Sequence, residues 1–246
     1  GDFEIVGTDL VQPGSVTGGT AGVSYLVPWG SALAVRFLAR ALREGLTVKS
    51  NDKAFINIGN AYPAGTLILD IADNPASIHD TINQLAEETG AHVVAVNDSW
   101  VTDGPSFGSA NVVRFNEPRI AMAWDQPTSA YSAGNTRFVI ERQFDFPVTP
   151  IRVDSLRSAN LSRYQVLILP LMNGAGYKSV LGESGIENIR TWVRQGGVII
   201  SLGNATRFLA DPDVDLLSIR RERAVLDENV EATENLARQA GEMGVK

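Results

Sequence analysis

The sequence contains no cysteine and only two histidines, His79 and His92. The first absence excludes disulfides, thiolate metal sites, iron–sulfur clusters and a cysteine nucleophile. The second limits every reaction that needs an imidazole to two positions in the first half of the chain. No apolar run reaches the ~18 residues that spanning a bilayer requires. The start, "GDFEIVGTDLVQPGSVTGG", has no charged-then-apolar leader pattern. Lys and Arg are also scarce and scattered. With 21 of them against 28 Asp and Glu, the formal charge is -7, and the densest group, Arg220, Arg221 and Arg223, is interrupted by Glu222 and followed by Asp227 and Glu228. Phosphate neutralisation needs clustered cations, so neither nucleic acid nor an anionic membrane is an expected partner.

What is present is a well-supplied core. The 246 residues, 44% of them hydrophobic, suffice for one large α/β domain or two lobes. Strand-like and helix-like stretches alternate, which predicts a mainly parallel sheet flanked by helices. "VSYLVP" (23–28) reads as a strand. "SALAVRFLARALREG" reads as a helix with Val35, Leu38 and Leu42 on one face and Gly45 as its C-cap. Next come the strands "LTVKS" and "TLILDI". "NPASIHDTINQLAEETG" is a helix with Asn74 as N-cap, Pro75 at its first helical position, and a buried stripe of Ile78, Ile82, Leu85 and Ala86. "HVVAVN" and "ANVVRF" complete the first half.

Near Glu117 the pattern restarts, which places an N-terminal α/β lobe at 1–117 and a second lobe at 118–246. "RIAMAW", "PVTPIRV", "YQVLILP" and "GGVIISL" are strands, and "NTRFVIERQF" and "SGIENIRTWVRQGG" are helices, the latter with Ile186, Ile189 and Val193 at helical spacing and Gly196 at its C-cap. The residues from Glu222 onward read as a polar helix.

Few residues carry a chemical motif. "GPSFG" (104–108) matches the G-x-S-x-G of a nucleophile elbow, but an elbow needs a strand before and a helix after it, whereas a strand follows Ser106 and no histidine comes later. His79 is expected on a solvent-facing side of its helix, and His92 at the rim of a strand. Neither lies in a dense metal-ligand motif. Asp70, Asp73, Asp103 and Asp125 sit at or just after strand ends, where acid–base groups and ordinary caps both occur. "VTGGTAG" (16–22) precedes a strand and so lacks the context of a phosphate loop. "LMNGAGYKSVLGESG" (171–185) reads as a glycine-rich loop at the carboxyl end of a parallel strand, where open α/β sheets bind ligands. With the corner in "GGVIISLGNATRFLA", it nominates Asn173, Gly174, Asn204 and Thr206 as ligand-binding candidates.

The stretch 117–170, through Pro118-Arg119-Ile120, Gly134, Thr136-Arg137, Phe146-Pro147 and the strand ending at Pro170, resembles a region that follows the catalytic domain of large bacterial zinc carboxypeptidases of the carboxypeptidase A-like family. "IENIRTWVRQGGVIISLGNA", with "YPAGTLIL" and "DGPSFGS", extends the resemblance, and the helix–Gly-Gly–strand unit is similar to class I glutamine amidotransferases. That resemblance implies a flavodoxin-like or amidotransferase-like fold, further strands beyond residue 246, and an exported parent working in the periplasm or outside the cell. It implies an accessory role toward a catalytic peptidase domain of the same parent chain. The family's H-x-x-E zinc pair is absent, so zinc is expected only in that other domain and no cofactor in this chain. The amidotransferase Cys is replaced at the corner by Gly203, Asn204 and Ala205, and no histidine follows residue 92. The expectation is therefore a non-catalytic accessory domain, serving docking, substrate presentation or structural support. The alternatives are a module binding a peptide or other small ligand in the crevice at Asn204, and a hydrolase using Ser106 or an aspartate.

Overall fold

A computed structural model describes residues 13–219. They divide into two compact units: residues 13–117 together with Val139–Phe146, and Pro118–Phe138 together with residues 147–219. The segment 139–146, second-lobe by its place in the sequence, thus belongs to the first unit.

The first unit runs β1 (Ser15–Thr17), β2 (Ser24–Val27), α1 (Ala32–Arg43), β3 (Lys49–Asn51), β4 (Phe55–Asn57), β5 (Asn60–Tyr62), β6 (Leu67–Asp70), α2 (Ile78–Thr89), β7 (His92–Val96), β8 (Val101–Asp103) and β9 (Val112–Arg114). Its main sheet has the order β1-β7-β2-β6-β3-β9. Only β1 and β7 pair in parallel, and the other four pairings are antiparallel, so the expectation of a mainly parallel sheet fails for this unit. The helices still make crossovers. β2-α1-β3 and β6-α2-β7 each join strands of like direction, but one strand of the other pair is inserted between them. The four central strands stand in the order fourth-first-third-second, the split β-α-β of ferredoxin-like folds.

The misreading has a physical cause. Alternate residues of β2, β6 and β7 enter two different cores. Tyr25, Val27, Leu67, Leu69 and Val93 pack under α1 and α2. Leu26, Ile68 and Val96 face Phe55, Tyr62 and Phe107 of the opposite layer, built around a small sheet of order β5-β4-β8. Strands covered on both faces are continuously apolar whichever way they pair.

Helix starts and faces follow local chemistry. Ser31 caps α1, accepting from Ala34 N at 3.1 Å, and Gly45 at φ +75° turns the chain at the other end. The buried face of α1 is Ala34, Phe37, Ala41 and Leu42, while Val35 and Leu38 are half-buried. The small alanines let the backbone approach the sheet and give Phe37 the central position. α2 begins at Ile78 and not at Asn74. The Asn74 amide is spent on Thr47, accepting from its N at 2.8 Å and donating to its O at 3.1 Å. Ile78, Ile82, Leu85 and Ala86 are buried as expected.

The second unit runs β10 (Ile120–Trp124), α3 (Ala130–Phe138), β11 (Val148–Arg152), β12 (Val166–Leu169), α4 (Gly176–Arg194), β13 (Val198–Ser201) and α5 (Thr206–Leu209). Its sheet, β11-β10-β12-β13, is wholly parallel. Ala121, Ala123, Leu167 and Leu169 meet Tyr177, Leu181, Ile186, Ile189 and Trp192 of α4 in one core. Trp192 is the buried residue at the end of that stripe, with Val193 packed beside it. Most of the stretch read as a loop at 171–185 is helix, because α4 starts at Gly176 and is broken only at Gly182, whose φ of 59° and ψ of -173° are not helical. The polar helix read from Glu222 onward lies outside the described residues.

Candidate functional site

In the second unit the chain leaves β10 toward β11 on one side, while β12 continues to β13 on the other. The carboxyl ends of β10 and β12 therefore flank the point where the strand order reverses, the usual ligand position in open parallel sheets. Three connections meet in this region: 125–129 after β10, 170–175 after β12, and the corner 202–206 after β13.

The corner and the β12 connection are joined by Asn204. Its Oδ1 accepts from Met172 N and its Nδ2 donates to Met172 O, both at 2.9 Å, so the side-chain amide pairs with the backbone as a neighbouring strand would. On its other side the same connection is tied to 125–129: Ser129 N donates to Leu171 O and Asn173 N to Pro127 O, each at 2.7 Å. The Gln126–Pro127 bond is cis. Beneath, the fully buried Tyr177 donates to Pro170 O at 2.7 Å and lies 3.2 Å from Thr128 Oγ1. Burial pushes the Tyr177 phenol up to about 12, against a smaller opposing effect of Thr128, so it stays a hydrogen-bond donor throughout the physiological range.

Of the four sequence candidates, then, Asn204 and Asn173 are brought to one connection, Asn204 through its side chain and Asn173 through its backbone. Gly174 is exposed beside them with φ +57°. Thr206 turns to Ser201, Oγ to Oγ at 3.0 Å. The helix that follows the corner, α5, is only four residues long, too short to hold an anion by its dipole.

The sequence did not point to the residues around the end of β10 other than Asp125. Asp125 has φ +68°, a backbone conformation that non-glycine residues adopt at a cost and that clusters at functional positions. Its Oδ1 accepts from Gln126 N at 2.9 Å, and its Oδ2 lies 3.8 Å from Arg152 Nε. The Arg137 guanidinium stands 5.6 Å over the Trp124 ring, within cation–π range. Arg152, 3.8 Å from the Asp125 carboxylate, and Arg137, stacked over Trp124, stand near the end of β10, and guanidinium groups are the side chains that recognise a carboxylate or similar anion. The one sequence signal was Trp124-Asp125 at the end of an apolar strand.

The other candidates resolve as follows. Ser106 is exposed, whereas Phe107 beside it is buried in the core between the two sheets of the first unit. Gly104, φ +86°, passes so close to Ala54 O that a Cβ would stand 2.5 Å from it, so the glycine of this G-x-S-x-G serves chain packing. His79 is half-buried rather than solvent-facing: its Nδ1 lies 2.9 Å from the hydroxyl of buried Tyr25, and the rings meet edge to face at 5.9 Å. The α2 face beside Ile78 is turned far enough inward to reach Tyr25. His92 is exposed, 3.4 Å from Ser15 Oγ, and borders a crevice of about 340 Å³ with Trp29, Gly30 and Ser31. Asp70 and Asp73 share Lys49, which their hydrogen bonds hold above the ordinary lysine range, and Asp103 caps Gly104 N. A larger groove of about 520 Å³ runs beside α4 at Gly182, but its Lys178 is bound by Asp211 and Asp213 and its Arg190 by Glu187.

No protein-family model matches the chain, and no curated protein matches it either. Among the described residues no helix is long and apolar enough to cross a membrane.

Proposed function

We propose that this chain is a non-catalytic accessory module, docking to or presenting substrate to a catalytic peptidase domain of the kind found in zinc carboxypeptidases. One observation carries the reading. At the corner after β13, where an amidotransferase or hydrolase of this topology would present its nucleophile, Asn204 spends both amide atoms on the Met172 backbone. The strand order second-first-third-fourth supports a flavodoxin-like or amidotransferase-like ancestry for the second unit. A fold can persist after its reaction is lost, since function resides in the site. Zinc belongs, on this reading, to the partner domain alone, and the module works in the periplasm or outside the cell. Assays for glutamine and peptide hydrolysis test it: turnover no higher than a heat-denatured control is expected, and turnover above that control overturns it.

A second reading, favoured by the exposed Arg152 at the end of β11 beside Trp124, is a module that binds a peptide carboxylate or similar anion. Calorimetric titration with short peptides bearing a free or an amidated C-terminus distinguishes it. Binding of the free acid alone, lost in Arg152→Ala, supports this reading. Equal behaviour of acid and amide overturns it.

A further inference from the structure

We propose that the crevice between the end of β2 and the start of α1 is a binding site for a small carboxylate with an aromatic or branched apolar body. The crevice encloses about 340 Å³ and lies wholly within the first unit. That volume falls in the lower part of the range of small-molecule sites.

Its lining divides into a floor, a wall and a rim. β7 lies beside β2 and runs antiparallel to it, so the end of β2 adjoins the start of β7. Val27 of β2, Ala34 of α1 and Ala91 just before β7 are each 1% exposed and form the floor. Two of the three are alanines, whose small side chains leave room above them. The wall is Trp29, half-buried and packed against the core under α1 and α2. Its indole is pressed against the turn at Gly65, φ +89°, where a Cβ would stand 2.7 Å from Trp29 Cδ1. Only glycine allows that approach. The ring is therefore held in place before a ligand arrives, and binding does not have to order it.

The rim carries hydrogen-bond donors and no acid. Ser31 Oγ accepts from Ala34 N at 3.1 Å, which leaves its own proton to donate. His92 is exposed, its Nδ1 lies 3.4 Å from Ser15 Oγ, and its Nε2 has no partner among the described residues. With Nδ1 accepting from Ser15, the neutral ring carries its proton on Nε2 and donates it. No Asp or Glu lines the crevice, and α1 has none in its first turn, so no neighbouring charge repels a carboxylate. An apolar floor, a flat aromatic wall and two donors at the mouth suit a ligand with an apolar body and one acceptor head. An ionised acceptor gains roughly twice as much from such donors as a neutral one, which favours the acid.

The probe is 3-phenylpropionate, compared with 3-phenylpropanol, which lacks the acid, and with propionate, which lacks the ring. Proton–nitrogen correlation spectra of the full chain report the indole N–H signals of its four tryptophans, and loss of one signal in Trp29→Phe identifies that of Trp29. Saturable movement of the Trp29 signal is expected, with a Kd on the order of 1 mM for a ligand this small. Affinity should fall roughly tenfold for the alcohol, for propionate, and for the acid on His92→Ala. No saturation in wild type, or movement confined to the other tryptophans, overturns the proposal. Equal binding of the acid and either comparison compound overturns it as well. So does equal affinity in wild type and His92→Ala, a surface substitution with little effect on stability, which decides the matter even if Trp29→Phe fails to fold.

Discussion

Asn204 and Tyr177 show how single side chains close the sheet end. Replacing Asn204 by alanine strands the N–H and C=O of Met172, and a lost pair of this kind in a half-buried place costs about 1–3 kcal/mol. Chemical denaturation of Asn204→Ala should show that loss, while a stability unchanged within ~0.5 kcal/mol would mean that solvent replaces the amide at no cost. Tyr177 gives a pH signature. Its folded pKa, about 12, lies above the ordinary tyrosine value of 10.0, so the unfolded chain releases this proton first as pH rises. The stabilisation from keeping Tyr177 protonated is therefore complete below pH ~10 and is lost between there and pH ~12. Tyr177→Phe should flatten that part of the stability–pH curve. Equal slopes in variant and wild type would show that other groups govern it.

At the scale of elements, Phe107 decides what "GPSFG" is for. Its ring packs edge to face on Phe55 at 5.7 Å, and Phe55 stacks on Tyr62 at 5.2 Å, so it joins the small sheet to the main one. Phe107→Ala should cost about 3–5 kcal/mol and Ser106→Ala no more than about 0.5 kcal/mol. Thermal unfolding of both variants checks the contrast, and comparable losses would return Ser106 to consideration. The same element shows what was legible in the sequence. Ser106 could be set aside because a strand, β9, follows it, and apolar periodicity placed α1, α2 and the strands β2, β3, β6, β7 and β9–β13, whereas the three-residue strands β1, β4, β5 and β8 are too short to show a period. Strand direction was legible in the second unit, whose sheet is parallel as expected, but not in the first. Leu67, Ile68 and Leu69 are apolar because α1 and α2 cover one side and Phe55 and Phe107 the other, and a single chain's pattern records burial without recording its source. Asn204 was legible as a corner residue, its pairing with Met172 only from coordinates. Arg137 entered the sequence reading only as part of the Thr136-Arg137 piece of the resemblance and Arg152 not at all: one lies on a helix and one at a strand end, and only the parallel register of β10 and β11 sets Arg152 beside Trp124.

For the whole molecule, two separately packed units imply two unfolding events. The first unit's two clusters, under α1 and α2 and between its sheets, share no residue with the cluster under α4, and each unit contains enough buried apolar side chains to melt cooperatively. Calorimetry of the full chain should give a van't Hoff enthalpy below the calorimetric one, the sign of more than one transition. Core truncations then assign them. Phe37→Ala, fully buried under the first sheet, should lower one midpoint, and Trp192→Ala, anchored by its Nε1 to Tyr164 O at 3.0 Å, should lower the other. If both variants shift one common transition with equal enthalpies, the units unfold as a single body.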